Sequence, residues 1–136
     1  MKVAQVNIAR MKDRIDSDLM SEFVNNLDRI NSLAEDQKGF VWRLKDEENN
    51  ATSIQVYEDE YIIINMSVWD SVDDLFHFVY NTAHAQFVKR GSGWFHRMED
   101  MHMAIWKISP DHIPTAHEAK EKLEYLRVHG LSLIHI

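Results

Sequence analysis

With 136 residues, of which 45% are hydrophobic and 27% charged, the chain has the size and composition of one globular domain, able to bury about 70% of the surface its unfolded form exposes. A net charge of −7, with its cations scattered, provides no basic stripe of the kind a phosphate backbone requires, which argues against nucleic acid as a partner. There is no Cys, which excludes disulfides, thiolate metal sites and a Cys nucleophile and fits a reducing compartment.

The first residues, Met1 to Arg10, carry an apolar run too short and too interrupted, by Gln5 and Asn7, for a signal peptide. No stretch approaches the roughly 20 apolar residues of a membrane span. A soluble, cytoplasmic protein is therefore expected. Val3 to Ala9 alternates, Ala4, Val6 and Ile8 against Val3, Gln5 and Asn7, as a half-buried strand does. Asp16 or Ser17 is placed to cap a helix with apolar residues Leu19, Met20, Phe23, Val24, Leu27, Ile30 and Ala34, ended by Lys38-Gly39. Phe40 to Leu44 is a short strand. The segment 45–57 combines a polar, acidic loop (Asp46-Glu47-Glu48) with a β-rich stretch, Thr52 to Tyr57, whose part in the sheet the sequence leaves open.

A second long strand, Tyr61 to Val68, splits into Ile62, Ile64, Met66 and Val68 on one side and Tyr61, Ile63, Asn65 and Ser67 on the other. It runs through Trp69-Asp70 into a helix from Ser71 to Phe87, opened by the capping box Ser71/Asp74 and broken at Gly91-Ser-Gly93. Trp94-Phe95 follows. Met101 to Ile108 is the last strand, and Pro114-Thr115 through Glu118 opens a third helix that His129-Gly130 closes.

Strand, helix, strand, strand, helix, strand and an added helix is the ferredoxin-like pattern, an α+β split β-α-β with a four-stranded antiparallel sheet and helices on one face. The other face is expected to carry Gln5, Asn7, Asn65 and Ser67 beside Phe40, Trp42 and Trp106. That mixture is too apolar for open solvent and too polar for a dry core, and a second sheet paired across a cavity would accommodate it.

Gly39-Phe-Val-Trp-Arg-Leu44, Asn65-Met-Ser-Val-Trp-Asp-Ser71, Phe78-Val-Tyr80 with Ala83-His84, Trp94-Phe95, and Pro114-Thr115 through Leu126-Arg-Val-His-Gly130 are unusual words in a fixed order. In them the chain resembles the uncharacterised family known as domain of unknown function 3291. The resemblance runs from Val3 to Gly130. It implies a dimeric α/β barrel, two ferredoxin-like subunits pairing sheet to sheet as a homodimer, as in the antibiotic-biosynthesis monooxygenases and haem-degrading enzymes of the wider superfamily. Residues 1–130 are thus one domain, and 131–136, Leu131-Ser-Leu-Ile-His-Ile136, is expected to be a non-native or truncated tail.

His84, between two alanines, is the residue best suited to catalysis, since a neutral imidazole can act as base, ligand or donor. Its plainer role is packing or capping against a backbone carbonyl. In the haem-degrading relatives a His late on this helix binds iron and an Asn on the first strand lies opposite; His84 and Asn7 occupy similar places, although the Trp those enzymes carry before the His is absent. In the monooxygenase relatives cavity Asn and Trp side chains act without a metal. Asn7 is accordingly paired with His84 as a catalytic candidate. Asn65, Trp42, Trp106 and His77 are candidates for binding a ligand. His77 and His84 would need a further element to complete a metal site, so no metal is expected. No His-Glu-x-x-His run, Gly-rich phosphate loop or Gly-x-Ser-x-Gly elbow is present. The reading is a protein that binds a small apolar molecule, with cofactor-independent monooxygenase chemistry as the enzymatic form of it. Haem binding through His84 and a non-catalytic dimerisation or stress-associated module are the alternatives.

Overall fold

The computed structural model describes residues 1–46, 50–98 and 102–129. Glu47 to Asn49 of the acidic loop, Met101, Gly130 and the tail 131–136 lie outside the described residues. Strand β1 (Lys2–Met11) is the axis of the sheet. Along one edge it pairs antiparallel with β3 (Ile62–Trp69), from Val3↔Trp69 to Arg10↔Ile62. Along the other it pairs with β5 (Met103–Ile108) over Lys2 to Asn7 and with the two-residue β4 (Phe95–His96) at Arg10 and Met11. Strand β2 (Phe40–Arg43) lies outside β3. This is the split β-α-β sheet with its last position built from two short strands, so Trp94-Phe95 leads into the sheet. Thr52 to Tyr57 adds no strand; Ile54, Val56 and Tyr57 pack on the core instead.

Helix α1 (Ser21–Glu35) starts later than Asp16 or Ser17. The Ser17 hydroxyl closes a preceding turn by accepting the Met20 N–H (3.3 Å), and Met20 is fully buried. The chain leaves the helix through Gly39 at φ +86°, whose carbonyl accepts the Asp70 N–H (2.8 Å) and so ties the start of β2 to the end of β3. Helix α2 (Val72–Asn81) is capped by Ser71, whose hydroxyl accepts the Asp74 N–H (3.1 Å), as the sequence signature predicts. It does not run on to Phe87. Thr82 is extended (φ −128°, ψ −178°), its hydroxyl donates to the Phe78 carbonyl (2.6 Å) and accepts the His84 N–H (3.2 Å), and a new helix α3 (Ala83–Lys89) begins. A 3-10 turn, Arg90–Gly93, leads to Trp94.

The two faces of the sheet are covered by different helices. Ala4, Val6, Ile8, Ile64, Met66, Val68, Ala104, Trp106 and Ile108 form one buried cluster with Ala119, Leu123 and Leu126 of α4 (Ala116–His129). Val3, Trp69, Ile30, Ala34, Leu75 and Phe78 form a second on the opposite face, under α1 and α2, and Met11, Met20, Phe23 and Trp94 extend it. The face bearing Gln5, Asn7, Asn65 and Ser67 is therefore the helix face. The expectation that it lies away from the helices is corrected: the wholly apolar face is the one turned away from α1 and α2, and α4 covers it within the chain.

Candidate functional site

Register brings a polar band across the middle of the helix face. Gln5, Ser67 and Arg43 stand in one cross-strand row, and Asn7 and Asn65 face each other in the next. Trp69, Val3 and Phe40 lie beyond the first row, and Ala9 and Ile63 beyond the second, so the band is bounded by apolar side chains. The Gln5 amide nitrogen donates to the Asn65 carbonyl oxygen (2.9 Å) and to Ser67 Oγ (2.8 Å), and Ser67 Oγ also accepts the Trp69 indole N–H (2.8 Å). A buried indole N–H thus holds the hydroxyl, and the amide of Gln5 orients the carbonyl of Asn65.

Above this band the helices do not close onto the sheet. A cavity of ≈ 930 Å³ separates them, floored by Gln5, Asn7, Asn65 and Ser67 and roofed by aromatic side chains, among them Phe23, Phe78, Phe87 and Trp94. An apolar volume of this size with a few convergent polar groups is the usual form of a small-molecule site. Phe23 stacks on Phe87 (5.6 Å between centroids), meets Phe95 edge-on (5.0 Å) and tilts against Trp94 (5.7 Å), which makes the roof a mutually braced group.

His84 opens α3 beside the roof and lines the cavity. Its ring lies 4.6 Å from that of Phe78, and Nδ1 sits 3.4 Å from the Val79 carbonyl oxygen. A carbonyl only accepts, so Nδ1 carries the proton in that bond and Nε2 is the basic nitrogen. Burial pushes the imidazole below its ordinary value, and the Val79 hydrogen bond opposes the shift without cancelling it. The ring is neutral at neutral pH, a state fit for accepting a proton. Because the folded protein resists protonation here, stability is fully present above the unfolded pKa of 6.5 and is lost as pH falls through the lowered folded value. Urea midpoints across that interval should fall with pH in the wild type and fall less in His84→Gln. Equal slopes would exclude this origin.

The structure brings together Asn7, Asn65 and His84 and separates the other candidates from them. Trp42 and Trp106 are on the α4 face: Trp42 is paired with Val68, Trp106 with Ala4, and the Trp106 indole N–H donates to Glu118 Oε2 (3.1 Å). The cause for Trp42 is a bulge between Phe40 and Trp42, two residues on β2 against one step on β3, which puts Phe40 and Trp42 on opposite faces despite their spacing. His77 is exposed on α2, 3.5 Å from Asn81, and does not line the cavity. Sequence reasoning placed Gln5 and Ser67 on the cavity face but did not single them out as site residues, and it missed Trp94 and Phe87 as roof. The Gln5, Ser67 and Asn65 parity was readable, but not which helices cover it. Among the described residues no three His, Asp or Glu side chains converge on a point where a metal ion could sit, and no helix is long and apolar enough to cross a membrane.

A family model described as "Domain of unknown function (DUF3291)" matches residues 2–134. The chain belongs to this family. Among curated proteins no sequence matches it. Solved structures share the fold of this DUF3291 protein at low identity. Rv0793 from Mycobacterium tuberculosis is 13% identical with a TM-score of 0.57, over 85% of this chain and 99% of that one. SnoaB from Streptomyces nogalater, a cofactor-independent oxygenase, is 14% identical with a TM-score of 0.53, over 84% and 98%. A protein assigned to the antibiotic-biosynthesis monooxygenases, from Nitrosomonas europaea, is 12% identical with a TM-score of 0.57, over 81% and 92%. The fold is thus that of the ferredoxin-like antibiotic-biosynthesis monooxygenase type.

Proposed function

We propose that this DUF3291 protein binds a small, largely apolar organic molecule between its sheet and helices and oxidises it with molecular oxygen without a cofactor, as a cytoplasmic homodimer. The observation that carries the reading is the cavity, with amides on its floor, aromatic rings above and a neutral imidazole at its side. The fold it shares with SnoaB, a cofactor-independent oxygenase, supports it.

Without a cofactor the ligand itself must supply the electrons. A ligand carbon activated by a neighbouring carbonyl gives its proton to His84 Nε2, while Asn7 and Asn65 hydrogen-bond the oxygen on which charge develops. Oxidation of a CH₂ group to C=O yields four electrons and two protons, O₂ takes the electrons, one oxygen atom enters the ligand and the other leaves as water.

Native mass spectrometry of the protein as purified should show two chains with a retained organic molecule. Oxygen uptake with that molecule should fall by about 10²-fold in His84→Ala and more modestly in Asn7→Ala, with melting temperatures close to wild type. Folded variants with unchanged turnover would remove both residues from the chemistry. Haemin titration separates the haem alternative: a Soret shift abolished by His84→Ala would replace the oxygenase reading, and none is expected.

A further inference from the structure

We infer that Gln5 is a positioning residue for ligand binding: it holds Asn65 by the carbonyl oxygen and so turns the Asn65 NH₂ group into the cavity, which makes the floor prefer a ligand that offers an acceptor oxygen over one of the same shape that offers none. The inference rests on the cavity being a ligand site and adds the direction of its hydrogen bonds and the residue that sets it.

The first observation is a chain of bonds whose direction is fixed at one end. The Trp69 indole nitrogen can only donate, so the Ser67 oxygen, 2.8 Å away, accepts from it. The second lone pair of that oxygen takes one N–H of the Gln5 amide (2.8 Å), and the other N–H goes to Asn65 Oδ1 (2.9 Å). Both amide protons of Gln5 and both lone pairs of Ser67 are then committed, and the Ser67 proton is left over as a further donor. Turned over, the Gln5 amide would accept at the same two points and leave its NH₂ group, in a side chain only 6% exposed, with no acceptor among the described residues. A buried N–H without an acceptor is rarer than a carbonyl oxygen short of a donor, so the orientation found is the one the row favours.

The second observation is the contrast between the two floor asparagines. Asn65 is exposed to the cavity with its oxygen held, and its Nδ2 bonds no described residue. The amide of Asn7, directly opposite in register, bonds no described residue at either end and can turn to suit whatever group it meets. Asn65 cannot, and the difference between them is Gln5. Register explains why a Gln is required: Ser67 stands directly opposite Gln5, and Asn65 is its diagonal neighbour, a span that a long side chain crosses and a short one does not. Gln5 touches no reacting atom in this arrangement; it acts through Asn65.

The test titrates two neutral fluorescent probes into the full chain: propionyl-dimethylaminonaphthalene, a ketone whose emission moves to the red when its carbonyl accepts a hydrogen bond, and the propyl analogue, in which CH₂ replaces C=O. The ketone bound to the wild type should emit to the red of its emission in toluene. Gln5→Glu keeps the length of the side chain but, ionised, offers only acceptors, so Asn65 must turn its NH₂ away from the cavity. Ketone affinity should fall about tenfold and its emission move to the blue, while the propyl analogue binds as before. Gln5→Met removes the hold without reversing it and should lie between; it decides the matter if Gln5→Glu does not fold by circular dichroism. In an Asn65→Leu background, Gln5→Met should change ketone binding no further, because the group it acts through is gone. Ketone binding and emission unmoved by the Gln5 variants, a loss shared equally by both probes, or a loss that adds to that of Asn65→Leu would overturn the positioning role while leaving the cavity as a ligand site. Binding of neither probe would overturn both.

Discussion

Replacing Trp69 by alanine is expected to cost about 3–5 kcal/mol, which consumes a large part of the stability a domain of this kind possesses. Trp69 has no exposed surface. Its ring stacks on Phe78 of α2 (5.4 Å, 23° between planes) and receives Phe40 of β2 edge-on (5.5 Å, 88°). It thus joins the central pair of strands to the edge strand and to the helix above. Truncation leaves a void among aromatic neighbours that cannot collapse without moving the sheet. It also removes the donor to Ser67, and with it one support of the cavity floor. Trp69→Phe separates the two effects: it should retain most of the packing and lose about 1 kcal/mol, so denaturant midpoints of the two variants should differ widely. Similar midpoints would show that the hydrogen bond, and not the ring, is what the fold depends on.

Gly39→Ala is expected to destabilise the protein by about 2–4 kcal/mol, the sum of a left-handed backbone for a residue with a Cβ and an overpacked contact. At φ +86° the added carbon would overlap the side chain of Asp74, approaching its Cβ to 2.6 Å. That carbon belongs to the first turn of α2, where Ser71 already holds the Asp74 N–H. Relief therefore means moving the helix or the turn that carries the Asp70-to-Gly39 hydrogen bond. Asn tolerates the left-handed region better than Ala, so Gly39→Asn tests which cost dominates. If it is no more stable than Gly39→Ala in urea unfolding, the clash with Asp74 governs. Full recovery in Gly39→Asn would assign the cost to φ alone.

The elements that carry strong periodicity were legible in the sequence. Both long strands, the Ser71 cap, the Gly39 exit and the Thr115 cap, whose hydroxyl accepts the Glu118 N–H (3.1 Å), fall where residue type and spacing put them. The break at Thr82 was not read, although Asn81-Thr82 before Ala83-His84 is a plausible cap; a Thr within an apolar helical stripe gives no signal unless one asks where its hydroxyl goes. The faces of the sheet were the larger difficulty. Alternation separates Asn7 from Val6 but does not say which set α1 and α2 cover. Polar residues suggested the outward face, because a cavity under the helices leaves no trace in periodicity. The bulge then placed Trp42 on the side opposite Phe40, and a lone extra residue in a four-residue strand is invisible to a period of two. Asn7, Asn65 and His84 were found by their chemistry, and alternation put Gln5 and Ser67 on the same face; Arg43 needed the register.

β1 is the first element of the chain, and it stands in the middle of the sheet, bonded to β3 on one side and to β4 and β5 on the other. During synthesis its apolar residues Val3, Val6 and Ile8 emerge long before Ile62 to Trp69 and Met103 to Ile108, their partners, have been made. Until β3 emerges, the nascent chain therefore carries an unpaired hydrophobic strand. Pairings this distant in sequence slow folding and lengthen the exposure of aggregation-prone surface. Recombinant yield should accordingly respond to chaperone supply and low growth temperature, and a circular permutant in which β1 follows α4, shortening its sequence separation from β5, should refold faster than the natural order.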